Sequence, residues 1–305
     1  QLAELLDGRG VNNLIAVGGI ISAHMDCFIG LPFKCRFFPT TEALLRDEIL
    51  TKLEHQIILI KGARSFHFER ITDRLEKKVH ETILEVNLSA IVKNLNYYRS
   101  FLKPETKIVC MVKADAYGAG AVEVAKTLQE HNVDYLAVAV ADEGVTLREK
   151  GITQGIMIMN PEMSSFSTLF QYHLEPEIYS FRLLDALIKA AEHEGITNFP
   201  VHIKLDTGMH RLGFDPEKDL PKLIERLHRQ TALIPRTVFS HFVGSDSNDF
   251  DEYSSQQYKV FLKASKMLRT VFPHTVLRHM CNSAGIERFP ERQLDMVRLG
   301  LGLYG

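Results

Sequence analysis

The chain has 305 residues and 34.7 kDa, enough for about two domains or for one barrel of about 250 residues with an attachment, and enough to bury a core without staples. Hydrophobic residues at 45% and charged residues at 24% are the proportions of an ordinary globular protein. Lys+Arg at 36 against Asp+Glu at 38 gives a net charge of -2, which argues against a basic surface for nucleic acid spread over the whole molecule.

The start, QLAELLDGRG, reads like the middle of a helix and has no signal-peptide pattern. The end, VRLGLGLYG, stops on a strand-like run, so both ends are expected to be cuts. Cys27, Cys35, Cys110 and Cys281 are scattered with no CxxC, which fits free thiols in a reducing compartment, and a cytoplasmic location is expected. No apolar run approaches the ~20 residues of a membrane span, and no metal is expected.

Residues 1–80 read as a small α/β region. Leu14–Ile21 is strand-like. EALLRDEILTKL, after Thr40–Thr41, has helical spacing with a threonine cap. Gln56–Lys61 (QIILIK) has the pattern of a buried strand. A boundary is expected near Glu76–Glu81, giving domains 1–80 and 81–305.

From there strands and helices alternate. Strands are expected at 107–113, 134–140, 155–160, 174–180, 201–206, 235–242, 276–283 and 295–300. Helices are expected at 122–131, 142–151, 181–195, 219–230 and within 252–271. βα units at roughly 25–30 residue spacing imply a parallel sheet, and about eight of them within ~200 residues imply a closed (β/α)8 barrel. The absence of GxGxxG and of a phosphate loop agrees. The expected fold class is therefore α/β, a TIM-type barrel preceded by a small α/β piece.

In such a barrel the chemistry lies at the C-terminal strand ends. Those ends carry Lys113, then Lys204-Leu205-Asp206-Thr207-Gly208, Ser240-His241, Cys281-Asn282-Ser283 and Arg298-Leu299-Gly300. Cations and donors dominate, which suits an anionic ligand such as a phosphate and not a two-carboxylate glycosidase. A buried lysine favours its neutral amine and can form a Schiff base, but spacing alone does not separate a catalytic Lys113 from a surface one. His202, Lys204 and Asp206 alternate with apolar residues and so share a strand face. His241 alone could be structural, and Asn282-Ser283 reads equally as a helix cap or a phosphate site.

VKADAYG (112–118) resembles the lysine motif of the alanine racemases, barrel enzymes that use pyridoxal 5'-phosphate (PLP). The resemblance implies that Lys113 holds PLP as a Schiff base and acts as one of two bases, and that Tyr117 helps bind the phosphate. The family more often has Asn where Asp115 stands and His where Ala119 stands. KLDTGMHRLGF (204–214), SHF (240–242), RHMCNSAGI (278–286) and MVRLGLGLYG (296–305) resemble its further signatures, in order. They imply that Arg211 contacts the cofactor ring oxygen and the substrate, and that Lys204, at a position often carbamylated, orients Arg211. They place His241 against the pyridine ring, Asn282 and Ser283 in the cofactor site, and His279 behind it. Arg298 would face the pyridine nitrogen and keep it unprotonated, restraining transamination. Gly300 and Leu301 would offer backbone N–H groups to the phosphate.

The implied reaction interconverts L- and D-alanine for peptidoglycan synthesis. A homodimer is implied, in which a tyrosine of the partner's C-terminal domain serves the opposite face. The 305-residue chain is therefore expected to bind PLP and to racemise poorly. A PLP-binding barrel without racemase activity, or a racemase for another amino acid, are the alternatives. ILIKGARSFHFERI (58–71) and FFPTTEALL (37–45) resemble the C-terminal domain of the Mur ligase that adds D-alanyl-D-alanine, which implies a ligase–racemase fusion. Lys61 and Arg64 would face the ligase site, though a solvated basic loop reads the same way.

Overall fold

The computed structural model describes residues 2–76 and 84–305. The chain separates into two compact units, one running to Leu84 and the other from Glu85. Most of the boundary expected near Glu76–Glu81 lies outside the described residues.

In the first unit β1 (Asn13–Val17) pairs in parallel with β2 (Lys34–Phe38). Phe38, Leu44, Leu50 and Ile71 form its small core. Three sequence expectations need correction here. The run Leu14–Ile21 does not stay a strand. Gly18, at φ 130, breaks it, and Gly19–Ala23 turns helical with Ile20 out in solvent. The 42–53 helix is two pieces. Thr40 caps a helix at Thr41–Leu45, and Asp47 then accepts from the Ile49 N–H and starts a 3-10 turn at Glu48–Lys52, because each polar cap restarts the backbone bonding. Gln56–Lys61 is not a strand at all. Ile57 and Leu59 are exposed and no strand among the described residues pairs with the segment, whereas an apolar run becomes a buried strand only with a bonding edge and cover on both faces.

The second unit is a closed parallel barrel in the order β10-β3-β4-β5-β6-β7-β8-β9. Its strands are β3 (Lys107–Met111), β4 (Tyr135–Val138), β5 (Gly155–Ile158), β6 (Leu174–Ile178), β7 (Phe199–Lys204), β8 (Leu233–Phe239), β9 (Leu277–His279) and β10 (Met296–Leu299). The eight strands match the eight expected segments, shortened mainly at their C-terminal ends, where the chain leaves the sheet to build loops. Amphipathic helices cover the outside. Phe181–His193, capped by the Ser180 hydroxyl on the Leu183 N–H, turns Leu183, Leu184, Leu187 and Ala191 inward. Each fully buried leucine contributes roughly 1.5–3 kcal/mol.

Strand alternation splits the barrel interior chemically. Val109, Ala137, Met157 and Met296, with Met111, Tyr135 and Met159, make an apolar half. Glu177 from β6, His202 and Lys204 from β7, Thr237 from β8, His279 from β9 and Arg298 from β10 make a buried polar half. A register shift sets part of this. Val201 opposes Pro235 but His202 opposes Thr237, so Arg236 is the extra residue of a bulge that brings Thr237 opposite His202.

Candidate active site

β3 ends at Met111, two residues before Lys113, while the Val112 N–H still bonds the Ala137 carbonyl at 2.8 Å. The chain then makes a left-handed turn. Ala114, Asp115, Ala116 and Tyr117 have φ of 53, 51, 53 and 57°. Left-handed helix costs an L-residue roughly 1–2 kcal/mol, so such a run needs outside support. Glu143 supplies it, accepting the N–H of Ala114 and of Ala139 at 2.7 Å each. The Asp115 carboxylate accepts the Ala121 N–H at 2.7 Å. Ala116 is fully buried. The result is that Tyr117 comes back beside Lys113, whose Nζ lies 6.0 Å from the centre of the tyrosine ring. Tyr304 packs on Tyr117 at 5.0 Å and donates to the Met111 carbonyl at 2.7 Å.

Ser283, Gly300 and Tyr117 converge. Ser283 Oγ accepts from the N–H of Gly300 at 3.0 Å and of Gly302 at 3.2 Å. A Cβ on Gly300 would stand 3.6 Å from the Tyr117 hydroxyl and 3.9 Å from Ser283 Oγ. The serine oxygen thus already takes the acceptor place that a phosphate oxygen would share, and the donors present fit a phosphate. Gly302 is the second N–H donor, one residue past Leu301, whose side chain points to solvent. Gly302 has no room for a side chain, since a Cβ would fall 2.1 Å from the Tyr98 hydroxyl. Asn282 acts first as a cap: its Oδ1 accepts from the Gly285 N–H at 2.9 Å and from Ser245 at 2.7 Å.

Arg298 is buried and surrounded by acceptors. Its Nη1 donates to His279 Nδ1 at 2.7 Å, and its Nη2 to the Ser240 carbonyl at 2.6 Å, to His241 Nδ1 at 3.1 Å and to the Met280 carbonyl at 3.2 Å. A guanidinium cannot accept, so both Nδ1 atoms must, and both imidazoles carry their proton on Nε2. Burial pulls the Arg298 pKa down to about 10, still charged near neutrality. Phe239 lies beneath, 5.0 Å from the guanidinium carbon and stacked on His279 at 4.7 Å.

The polarity continues through the barrel. His279 Nε2–H donates to Thr237 Oγ1 at 2.8 Å. Thr237 Oγ1 is 2.9 Å from His202 Nδ1, and His202 Nε2 is 3.0 Å from Glu175 Oε2. With the Nε2–H of His202 facing the carboxylate, Thr237 donates to Nδ1. The hydrogen bonds then point from the Arg298 guanidinium to His202, whose Nε2 stands in ion-pair contact with the Glu175 carboxylate. Thr237→Val keeps the shape and removes the link, leaving two buried imidazole nitrogens without a partner. We expect a loss of roughly 2–6 kcal/mol, at about 1–3 kcal/mol per orphaned group, read as a lower urea midpoint.

Burial first, then the charges of Arg298, Arg211, Lys204 and Lys113, push the His241 pKa down to about 3. His241 therefore sits among the cations that the sequence motifs supply. Arg211 itself is exposed and reaches this cluster through its field. Burial also holds His279 well below its usual value. Both histidines are neutral in the folded protein, so below about pH 6.5 the unfolded chain takes up protons that the folded one refuses. Stability is complete above that pH and falls by about 1.4 kcal/mol per pH unit per histidine below it. Glu177, raised by burial, offsets part of this by binding its proton earlier in the folded state. The urea midpoint is expected to drop by the equivalent of roughly 2–3 kcal/mol by about pH 5.5.

Lys204 is paired with Glu177 rather than with Arg211. Its Nζ lies 2.9 Å from Glu177 Oε1 and 5.3 Å from the Phe239 ring centre. Asp206, on the same strand face, instead accepts the N–H groups of Gly208 and His210 at 3.0 Å each. Glu175, Glu177, Thr237 and Gly302 are site residues that motif reading passes over. For the two glutamates the signal was present: LEPEIYS alternates glutamates exactly as VHIKLD alternates His202 and Lys204.

Residues 86–305 match the family described as alanine racemase, N-terminal domain. The alanine racemase of Geobacillus stearothermophilus is 35% identical over 226 residues, 74% of this chain and 57% of that protein. That of Methanococcus maripaludis is 34% identical over 227 residues, 74% and 60%. Among solved structures, alanine racemase from Clostridium difficile 630 has a TM-score of 0.68 at 35% identity, covering 72% of this chain and 57% of that one. Alanine racemase from Bacillus anthracis with bound L-Ala-P has a TM-score of 0.67 at 30% identity, covering 72% and 56%. The chain thus spans less than two thirds of the length of these relatives. Its parallel barrel, with the lysine turn at one strand end and the buried arginine on the neighbouring strand, belongs to the alanine racemase N-terminal domain family.

Proposed function

We propose that the protein is a PLP-dependent alanine racemase, with the cofactor held at the C-terminal mouth of the barrel. One observation carries the reading. Lys113 with Tyr117, the N–H pair of Gly300 and Gly302 around Ser283, and the acceptor-bound Arg298 all belong to one strand-end cluster. Ser283, Tyr117 and the two N–H groups would hold the phosphate, and Lys113 would bind the aldehyde carbon covalently. The bound cofactor supplies an electron sink that makes the substrate Cα–H acidic.

The residues do the rest. Lys113 removes or returns the proton at Cα on one face. His241, neutral and oriented by Arg298, would lie against the cofactor ring. Arg298, a donor with no proton-accepting atom, would keep the ring nitrogen unprotonated and weaken the sink, favouring proton return over amino transfer. Arg211, at the exposed rim, would meet the substrate carboxylate and the ring oxygen. The second acid–base group would come from a partner subunit in a homodimer. Alanine racemisation in turn would feed D-alanine to cytoplasmic peptidoglycan precursors.

Reconstitution with PLP tests this. We expect a visible absorbance band and, in the protein carrying its full length, conversion of L- to D-alanine faster than of other amino acids. A band without any racemisation by that protein would leave only a PLP-binding barrel.

For the first unit we propose the end of a Mur ligase C-terminal domain, supported by ILIKGARSFHFERI and FFPTTEALL and by its small parallel α/β core. Muramoyl-tripeptide ligation by the full-length protein, with and without the barrel, is the test.

A further inference from the structure

Glu177 has no exposed surface, and among the described residues neither of its oxygens has a hydrogen-bond partner beyond the ion-pair contact with Lys204. In that contact its Oε1 faces the Lys204 Nζ at 2.9 Å. The pair is enclosed by the Phe239 ring and feels the cations of Arg298 and Arg211. Burial pulls Lys204 down and pushes Glu177 up, so the two share one proton between them. Either the proton rests on the lysine as an ammonium, or it rests on the glutamic acid and is donated back to the amine. In both states the nitrogen lone pair is occupied.

We propose that Glu177 is a positioning residue that serves as the fixed anion of this site, sharing a proton with Lys204 and so keeping that lysine from taking up carbon dioxide. Carbamylation needs a free amine lone pair. The nitrogen attacks the carbon of CO2, one C=O electron pair moves onto oxygen, and the amine proton leaves to solvent. The product would set a carbamate anion beside the Glu177 carboxylate, and two anions at about 3 Å do not both stay ionised. The modification that the sequence motif implies for Lys204 is therefore replaced in this chain by a carboxylate of its own. The functional value of this anion rests on the proposed cofactor site, but its chemistry at Lys204 does not.

Carbon-13 NMR of the protein in 13C-bicarbonate tests it. The wild-type protein is expected to show no carbamate carbonyl signal. Glu177→Gln removes the proton-sharing carboxylate while Arg211 and Arg298 continue to disfavour the ammonium, so a carbamate signal should appear. It should vanish again when Lys204→Arg is added. A wild-type signal that Lys204→Arg removes overturns the proposal, as does a folded Glu177→Gln protein that stays silent. Should Glu177→Gln fail to fold, Glu177→Ala takes its place, and the wild-type spectrum decides without either. A merely structural ion pair would change stability without creating a carbamate. Failure of the cofactor reading would show separately, as no visible band on adding PLP.

Discussion

Lys113→Ala is expected to abolish the visible absorbance of the PLP-reconstituted protein while leaving its thermal unfolding almost unchanged. The two halves of this expectation have separate causes. Lys113 is half-buried, and its ammonium makes only a long approach, 6.0 Å, to the Tyr117 ring. Removing it takes away little packing, and stability should move by about 0.5 kcal/mol or less. The left-handed turn that follows is held by Glu143, Asp115 and buried Ala116, all of which remain. On the proposed reading the covalent link to the cofactor would have no substitute, and whatever racemisation the protein supports should fall by at least about 10^2–10^4-fold. A persistent visible band in the folded variant would falsify the lysine assignment.

Arg298→Met should act on stability and chemistry together. The methionine approximates the length of the arginine stem but donates nothing. It strands His279 Nδ1, His241 Nδ1 and the carbonyls of Ser240 and Met280 in a closed interior. At about 1–3 kcal/mol per orphaned acceptor, with some relaxation, the loss should be roughly 4 kcal/mol or more. For a barrel of this size that is a fall of roughly 8–16 °C in Tm. The His241 titration should also rise from about 3, because the first of its neighbouring charges has gone. On the proposed reading, the ring nitrogen in the reconstituted variant would lose the donor that keeps it unprotonated. Slow bleaching of the cofactor band with alanine, as amino transfer competes with proton return, is the expected signature. A variant that keeps its Tm and its His241 titration would show that the guanidinium network does not hold this end of the barrel.

Much of the site was legible in the sequence because its parts are contiguous. Lys113 and Tyr117 are four positions apart, and one turn of either hand returns the second to the first. The eight strands were legible because each buries a short apolar run between helices of a different period. The left-handed sense of the turn was not. Its motif, Ala-Asp-Ala-Tyr, has no glycine at the positions with positive φ, and local propensity favours the right-handed form. The left-handed form is held by tertiary contacts, above all by the Glu143 carboxylate from the next βα unit, with burial of Ala116 beside it. The misread segment at Gln56–Lys61 shows the reverse case. Its composition favours a strand, but a pairing strand belongs to the rest of the fold, and the described residues provide none.

The amino-acid sequence by itself determined the alternation of strands and helices, the closed barrel and the order of the charged motifs along it. The tertiary structure alone decided how those charges are partnered. Glu177 meets Lys204, and Glu175 ends a chain from Arg298, because β6 lies beside β7 in a particular register. Thr237 joins two histidines because an extra residue, Arg236, shifts β8 at the bulge. A buried polar group is stable only when its partner is in place, and that partner lies on another strand at a distance along the chain that no local pattern encodes.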